Sequence, residues 1–244
     1  MEQSISFIIA NRGGKDLDKV IKNINEVYND INKEILIIEQ YDSKPFMRGQ
    51  LFNIGVKYAK YEYLALTDND IYHLRKVPWI DIYEMNKKPL IGFKWISQLD
   101  YNNGNPKILL TELRPSGFGA FTFLTKNDFL EANGFSNLCI GWGVEDIIFS
   151  DRLKKGYMRI PQNLGHLQHP RRINLNPNDT AINRDIYYRN KKHKFIIENE
   201  DGYKQTIFDE ISNDKNENYT IIKVNNITVV EGYKYINELK RHKI

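Results

Sequence analysis

The stretch "EYLALTDND", residues 62–70, carries four consecutive hydrophobic residues, Tyr63 to Leu66, and closes on two carboxylates one residue apart. A short apolar run that stops at acids reads as a buried strand delivering polar groups at its carboxyl end. Upstream, "MRGQLFNIGVKYAK" (47–60) reads as a helix with Leu51, Ile54 and Tyr58 on one side. Before it, "EILIIEQ" (34–40) is a second buried-strand pattern. In "KDLDKVIKNINEVYND" (15–30) the apolar positions 17, 20, 21, 24, 27 and 28 follow one helix face. The first run, "SISFIIA" (4–10), ends at "NRGG". Strand, helix, strand, helix, strand at this spacing predicts an α/β fold built on a mostly parallel central sheet with flanking helices. Ligands of such sheets bind beyond the carboxyl ends of the strands, where "ANRGG" and "TDND" both lie.

Downstream the pattern is less regular. "KPLIGFKWI" (88–96) reads as a strand, "DYNNGNPK" (100–107) as a loop and "GFGAFTFLT" (117–125) as a strand. A short helix is predicted over 126–135, closed by Gly134, and another over 144–156, closed by Gly156. "YMRI" (157–160) returns as a strand. From about residue 190 the chain is more polar: "DEISNDKNENYT" reads as a loop, "YTIIKV" and "ITVV" as a hairpin, and "EGYKYINELKRHKI" as a basic helix. No linker divides the chain, so one domain over 1–244 is expected. Within it, residues 1–75, which carry both strand-end loops, are expected to form a nucleotide-binding half, 76–190 a second half that completes the site, and 191–244 the closing strands and helix.

The 244 residues carry 41% hydrophobic and 27% charged side chains, the balance of a globular protein with a core. A net charge of +4 suits a phosphate-bearing ligand but is not the footprint of a nucleic-acid binder. The single cysteine, Cys139, allows no intrachain disulfide, which fits a reducing compartment. With no signal-peptide pattern and no long apolar run, a cytoplasmic protein is expected.

Asp68 and Asp70 alternate at a strand end, so one can take a divalent cation and the other a ribose or sugar hydroxyl; a solvated turn would look similar. His166 and His169 in "GHLQHP" could add imidazole ligands, or belong to an ordinary loop. Arg12 and Arg48 lie beside the loops where a nucleotide would sit, although either could be a surface cation. In "CIGWGVEDIIFSDR" (139–152), Glu145 and Asp146 suit the positive end of a helix. That role leaves "GWG" unexplained, whereas a mobile loop could lay the Trp142 indole across a sugar. A carboxylate behind it could then deprotonate an attacking hydroxyl.

Taken in order, "IIANR", "IIEQYDSKPFMRGQLFNIGVKYA", "YLALTDND", "GFGAFTFLTKNDFLEANGFSN…GWGVED" and "GHLQHP" resemble the β-1,4-galactosyltransferase family. The likeness runs over roughly residues 4–224 and includes the polar segment 201–224. It implies a GT-A (Rossmann-like) glycosyltransferase fold and an inverting transferase that uses a UDP-sugar and Mn²⁺ or another divalent cation. By that resemblance Asp70, His166 and His169 hold the metal, Asp68 meets the donor sugar or ribose, and Arg12 and Arg48 hold the uridine diphosphate. Trp142 lies on the loop that closes over donor and acceptor, Asp146 is the catalytic base, and Glu145 helps place the reacting hydroxyls.

Two departures stand out. The animal members continue "GWGGED" with further acids, where this chain has Ile147 and Ile148, so the acceptor is held differently. Galactose-specific members carry a tyrosine where this chain has Gly117, which leaves room for an N-acetyl group. The donor is therefore UDP-Gal or UDP-GalNAc, and the acceptor a glycan or lipid-linked oligosaccharide. The expected setting is bacterial surface polysaccharide assembly, with peripheral contact at the inner face of the membrane through the basic C-terminal segment. The alternative is a catalytically silent module of the same fold that binds UDP-sugars or glycans.

Overall fold

The structure, a computed structural model, describes residues 4–100, 107–141, 143–167, 183–184 and 201–227. Strand β1 (Ser4–Asn11) lies between β2 (Asn32–Gln40) and β3 (Tyr63–Asp68), parallel to both. Helices α1 (Leu17–Val27) and α2 (Arg48–Tyr58) make the crossovers. Alternation along each strand decides which helix meets which side chain, because successive residues point to opposite faces of a sheet. Ile5, Phe7 and Ile9 of β1, with Ile35 and Ile37 of β2, pack in one cluster with Val20, Ile21 and Ile24 of α1. Ile8 and Ala10, with Leu36, Ile38, Leu64 and Leu66, pack on the other side with Leu51, Phe52, Ile54 and Val56 of α2. The result is a helix–sheet–helix sandwich.

Past Asp68 the chain makes a two-residue turn, Asn69–Asp70, into the short strand β4 (Ile71–His73), then helix α3 (Trp79–Asn86) on the α1 side. Strands β5 (Leu90–Asp100) and β6 (Lys107–Thr125) form a long antiparallel pair, and β6 returns antiparallel beside β3. Helix α4 (Lys126–Glu131) begins at a capping box: Thr125 Oγ1 accepts from the Asp128 backbone N–H at 3.2 Å, and Asp128 reaches back to the Thr125 N–H. Helix α5 (Glu145–Arg152), strand β7 (Met158–Leu167) and the hairpin of β8 (Asp209–Lys215) and β9 (Thr220–Asn225) follow. The nine-stranded order is β4-β7-β5-β6-β3-β1-β2-β9-β8, mixed overall and parallel at its β3-β1-β2-β9 centre.

Three expectations change. Segment 209–220, read as a loop, contains β8, and the hairpin pairs 209–215 with 220–225 rather than 219–224 with 227–230. β8 is an edge strand, exposed along most of its length, so its polar sequence lacks the apolar period that marks a buried strand. β6 begins at Lys107, ten residues before the predicted start, because Pro115 and the glycines after it read as a break where the ladder absorbs register shifts. β7 extends to Leu167, well past the predicted "YMRI". The predicted C-terminal helix over 231–244 lies outside the described residues. No helix among the described residues is long and apolar enough to cross a membrane.

Candidate active site

Four elements converge at the carboxyl end of β3, and their meeting point is the Arg48 guanidinium. Arg48 is the first residue of α2, and Gln40 at the end of β2 fixes the approach to it. The Gln40 amide donates to Asp42 Oδ1 at 2.7 Å and to the Lys44 and Pro45 carbonyls, while its Oε1 accepts from the Met47 N–H at 2.9 Å. So held, Arg48 donates from Nε to Asp68 Oδ1 at 2.5 Å and from Nη1 to Glu145 Oε1 at 3.4 Å. Nη2 donates to the Gly119 carbonyl, and the guanidinium lies over the Phe52 ring, 4.8 Å from its centroid. Burial opposes the charge, but Asp68, Glu145 and Asp146 outweigh it and hold the Arg48 pKa above its ordinary value. Three of its five N–H groups are engaged among the described residues.

Gly119, in β6, serves this cluster twice. Its carbonyl takes the Arg48 bond, and its missing side chain makes room for Asp146. A Cβ built on Gly119 would stand 2.4 Å from Asp146 Cβ and 2.6 Å from its Oδ2, and the residue has φ +83°. Asp146 is half-buried; its Oδ1 accepts from the Ile147 N–H at 2.8 Å. Burial and the neighbouring Glu145 charge push its pKa up to about 7, against the opposing pull of Arg48. Glu145 is buried, and its Oε2 has no hydrogen-bond partner among the described residues. A buried acceptor of that kind calls for a donor.

Asp70 sits in the β3–β4 turn, 3% exposed. The turn is tied to the end of β1 by Asn11, whose Oδ1 accepts from Asn69 Nδ2 at 2.8 Å and from the Gly14 N–H at 3.2 Å. Arg12, next to Asn11, is exposed and donates to the Asp42 carbonyl at 3.3 Å. His166 stands in β7 opposite Ile71, one rung from Asp70. Gly117 stands in β6, two residues before Gly119. Trp142 and His169 lie outside the described residues. No group of three His, Cys, Asp or Glu side chains is gathered as for a cation among the described residues. Asp70, a buried carboxylate on the Asn69–Asp70 turn, offers the kind of oxygen donor that Mn²⁺ takes.

His73, given no role from sequence, is a buried core histidine. Its Nδ1 meets the Tyr28 hydroxyl at 3.0 Å, its backbone is bonded twice by Asn23, and burial pushes its pKa down to about 3. Sequence reasoning missed Gly119, Asn11 and Gln40. Only Gly119 carried a signal, in the spacing of the "GFG" that precedes an apolar run.

Known proteins share parts of this sequence and its fold. Residues 112–174, from β6 to beyond β7, match the family model described as the N-terminal domain of galactosyltransferase. The chain is 25% identical over 161 residues to Beta-1,4-galactosyltransferase 7 of Drosophila melanogaster, a match covering 65% of this chain and 44% of that protein. The chain thus spans less than half the length of that relative. The catalytic domain of the Drosophila enzyme, solved with xylobiose, superposes with a TM-score of 0.68 at 16% identity, covering 96% of this chain and 98% of the other. A mutant of it, solved with manganese, UDP-Gal and xylobiose, superposes with a TM-score of 0.61 over the same shares, again at 16% identity. The fold is the GT-A fold of the glycosyltransferases.

Proposed function

We propose that this chain, a member of the β-1,4-galactosyltransferase family, is an inverting, metal-dependent hexosyltransferase. It moves galactose or N-acetylgalactosamine from a UDP-sugar to a hydroxyl of a glycan acceptor, with a β-linkage. The observation that carries this reading is the seat of Asp146, a half-buried carboxylate with its pKa pushed up to about 7, set on Gly119 beside the Arg48 bridge to Asp68. A base poised near neutrality is suited to take a proton from an attacking hydroxyl.

In the reaction, Asp146 accepts the acceptor's hydroxyl proton as that oxygen bonds to the anomeric carbon. The bond from that carbon to the diphosphate oxygen breaks on the opposite side, so the centre inverts and UDP leaves. Glu145 Oε2, open among the described residues, is available to a sugar hydroxyl, and Asp68 to a hydroxyl of the donor sugar or ribose. Arg12, exposed just past the end of β1 and bonded to the Asp42 carbonyl, presents its guanidinium to the diphosphate. Arg48 keeps two N–H groups for the donor and balances the carboxylates around it. Asp70, with His166 and His169, would hold Mn²⁺, which when bound supplies positive charge to the departing diphosphate. Trp142 would lay its ring over the bound sugars.

Ile147, 38% exposed beside Asp146, puts an apolar surface where the animal members have an acid, so the acceptor is gripped by other groups. UDP-Gal in the complex of the Drosophila enzyme favours a galactose donor, whereas Gly117 favours N-acetylgalactosamine. The same reading assigns the acceptor to bacterial surface polysaccharide assembly in the cytoplasm, on a glycan or lipid-linked oligosaccharide at the inner face of the membrane.

The test is UDP release from a panel of UDP-sugars, with Mn²⁺ or with EDTA, for the wild type and Asp146→Asn. Mn²⁺-dependent release that disappears in the variant supports the transferase, and the preferred sugar names the donor. Binding of UDP and Mn²⁺ without turnover of any donor, with or without a glycan acceptor, would replace the reading with a silent binding module.

A further inference from the structure

The turn that leads into α5 is held in a conformation its sequence does not favour. Gly141 has φ +73°, Gly143 φ +100° and Val144 φ +76°. The first two are the left-handed region that glycine tolerates, but a β-branched residue there is an outlier. Val144 is also the residue that precedes Glu145 and Asp146, and its carbonyl accepts from the Ile148 N–H at 3.0 Å to start the helix. Backbone in so sparsely populated a region persists only where its surroundings over-determine it.

Two anchors do so. The Gly141 N–H donates to the Phe46 carbonyl at 2.9 Å, tying the turn to the segment that leads into Arg48. The other anchor comes from a distant part of the chain. Asn183 is 1% exposed, and its side chain bonds this turn at Ile140 and at Gly143. Its Oδ1 accepts from the Ile140 N–H at 3.2 Å, and its Nδ2 donates to the Ile140 carbonyl at 3.0 Å and to the Gly143 carbonyl at 2.9 Å. A single amide thus pairs with Ile140 as a neighbouring strand would and also holds Gly143.

We propose that Asn183 is a positioning residue that latches the backbone at Ile140 and Gly143, and so fixes the first turn of α5 carrying Glu145 and Asp146. It acts through the backbone and touches neither donor nor acceptor. The proposal rests on the transferase reading for its functional half, while its structural half stands apart from it. Since the diphosphate and metal are assigned to Arg12, Arg48 and Asp70 on other elements, loss of the latch should lower turnover without weakening nucleotide binding.

The experiment compares the full chain with Asn183→Ala, Asn183→Asp and the pair Asn183→Ala with Val144→Gly. Three quantities are read: hydrogen exchange at the Ile140 amide, the affinity for UDP with Mn²⁺, and turnover of the preferred UDP-sugar. In Asn183→Ala, exchange at Ile140 should rise about tenfold, the order of one lost hydrogen bond. Turnover should fall by at least about tenfold while UDP affinity stays within about twofold, the split that separates positioning from binding. Asn183→Asp keeps the acceptor for Ile140 and loses both donations, so Ile140 stays protected while turnover falls as far. Glycine at position 144 removes the strain the latch opposes, and the paired variant should recover part of the turnover. Wild-type turnover in both single variants would overturn the proposal. So would a fall in UDP affinity matching the fall in turnover, or, should Asn183→Ala not fold, full turnover in Asn183→Asp. A wild type that turns over no UDP-sugar would sink the transferase reading and this functional half together, leaving Ile140 exchange to judge the latch alone.

Discussion

At the residue scale, the site depends on what is missing from Gly119 as much as on what the acids carry. Its φ of +83° and the 2.4 Å that would separate an added Cβ from Asp146 Cβ make two independent demands for glycine. Gly156 separates them, because it has φ +64° and nothing within 4 Å of the same construction. Gly156→Ala should therefore cost only the backbone strain, about 1 kcal/mol, and leave turnover unchanged. Gly119→Ala should cost roughly 2–4 kcal/mol and lower turnover by at least about tenfold, since the displaced group is the proposed base. Thermal melts paired with UDP-release assays check both, and equal effects at the two glycines would remove Gly119 from the site. The places of Asp68 and Asp70 at a strand end and of Glu145 and Asp146 at a helix start were legible because acids there break an apolar pattern. Gln40 and Asn11 were not, because a buried amide that fastens a turn reads in sequence like any polar residue near a loop.

At the element scale, α5 has two working ends. Its first turn carries Glu145 and Asp146; its last residue, Arg152, is buried at 3% side-chain exposure against Asp201 at 4%. Arg152 Nη2 donates to Asp201 Oδ2 at 3.0 Å, and Nη1 donates to the Gly134 and Asp201 carbonyls. Asp201 also accepts from the Asn137 N–H and the Ser136 hydroxyl, each at 2.5 Å. Burial pushes the Asp201 pKa up, and these partners draw it back, so the carboxylate depends on all of them. Removing one partner of a buried pair strands the other charge. Asp201→Ala should therefore destabilise the fold by about 3–5 kcal/mol, the range for a broken buried ion pair. Replacing both members with apolar residues of similar size should cost far less. Urea denaturation of the single and double variants measures this, and a single variant within about 1 kcal/mol of wild type would show the pair to be dispensable. None of this was visible in sequence. Residue 201 falls in a charged stretch, and only the assembled fold brings it against α5. The helix itself was legible, with its end placed at Gly156 rather than Arg152 because Leu153 and the lysines after it continue a helical composition.

At the scale of the whole molecule, the parallel centre of the sheet was legible because β1, β2 and β3 are buried on both faces and read as unbroken apolar runs. The antiparallel half was legible only in part: 88–96 and 117–125 read as strands, but β8 and the outer lengths of β5 and β6 did not, since polar residues, Pro115 and register shifts hide a strand's period there. The charge cluster at the switch between the two halves belongs to the assembled fold, as Arg48 comes from α2, Asp68 from β3, Gly119 from β6 and Asp146 from α5. Its titration is therefore a property of folding. In the folded chain Asp146 is pushed up to about 7 by burial and by Glu145, well above the ordinary aspartate value of 3.8. The folded state then keeps a proton that the unfolded chain has already released, so stability is full below about pH 4 and falls as pH rises towards 7. Asp146→Asn removes that slope, and at pH 8 it should be more stable than wild type by roughly 1–4 kcal/mol, with the two converging near pH 4. Activity runs the other way, because the base must be ionised. kcat/KM for the wild type should climb with pH and level off above about 7. Urea titrations and rate profiles over pH 4–9 test the two slopes together. A rate already level at pH 5, or an Asp146→Asn chain no more stable than wild type at pH 8, would mean that the cluster leaves Asp146 an ordinary surface carboxylate.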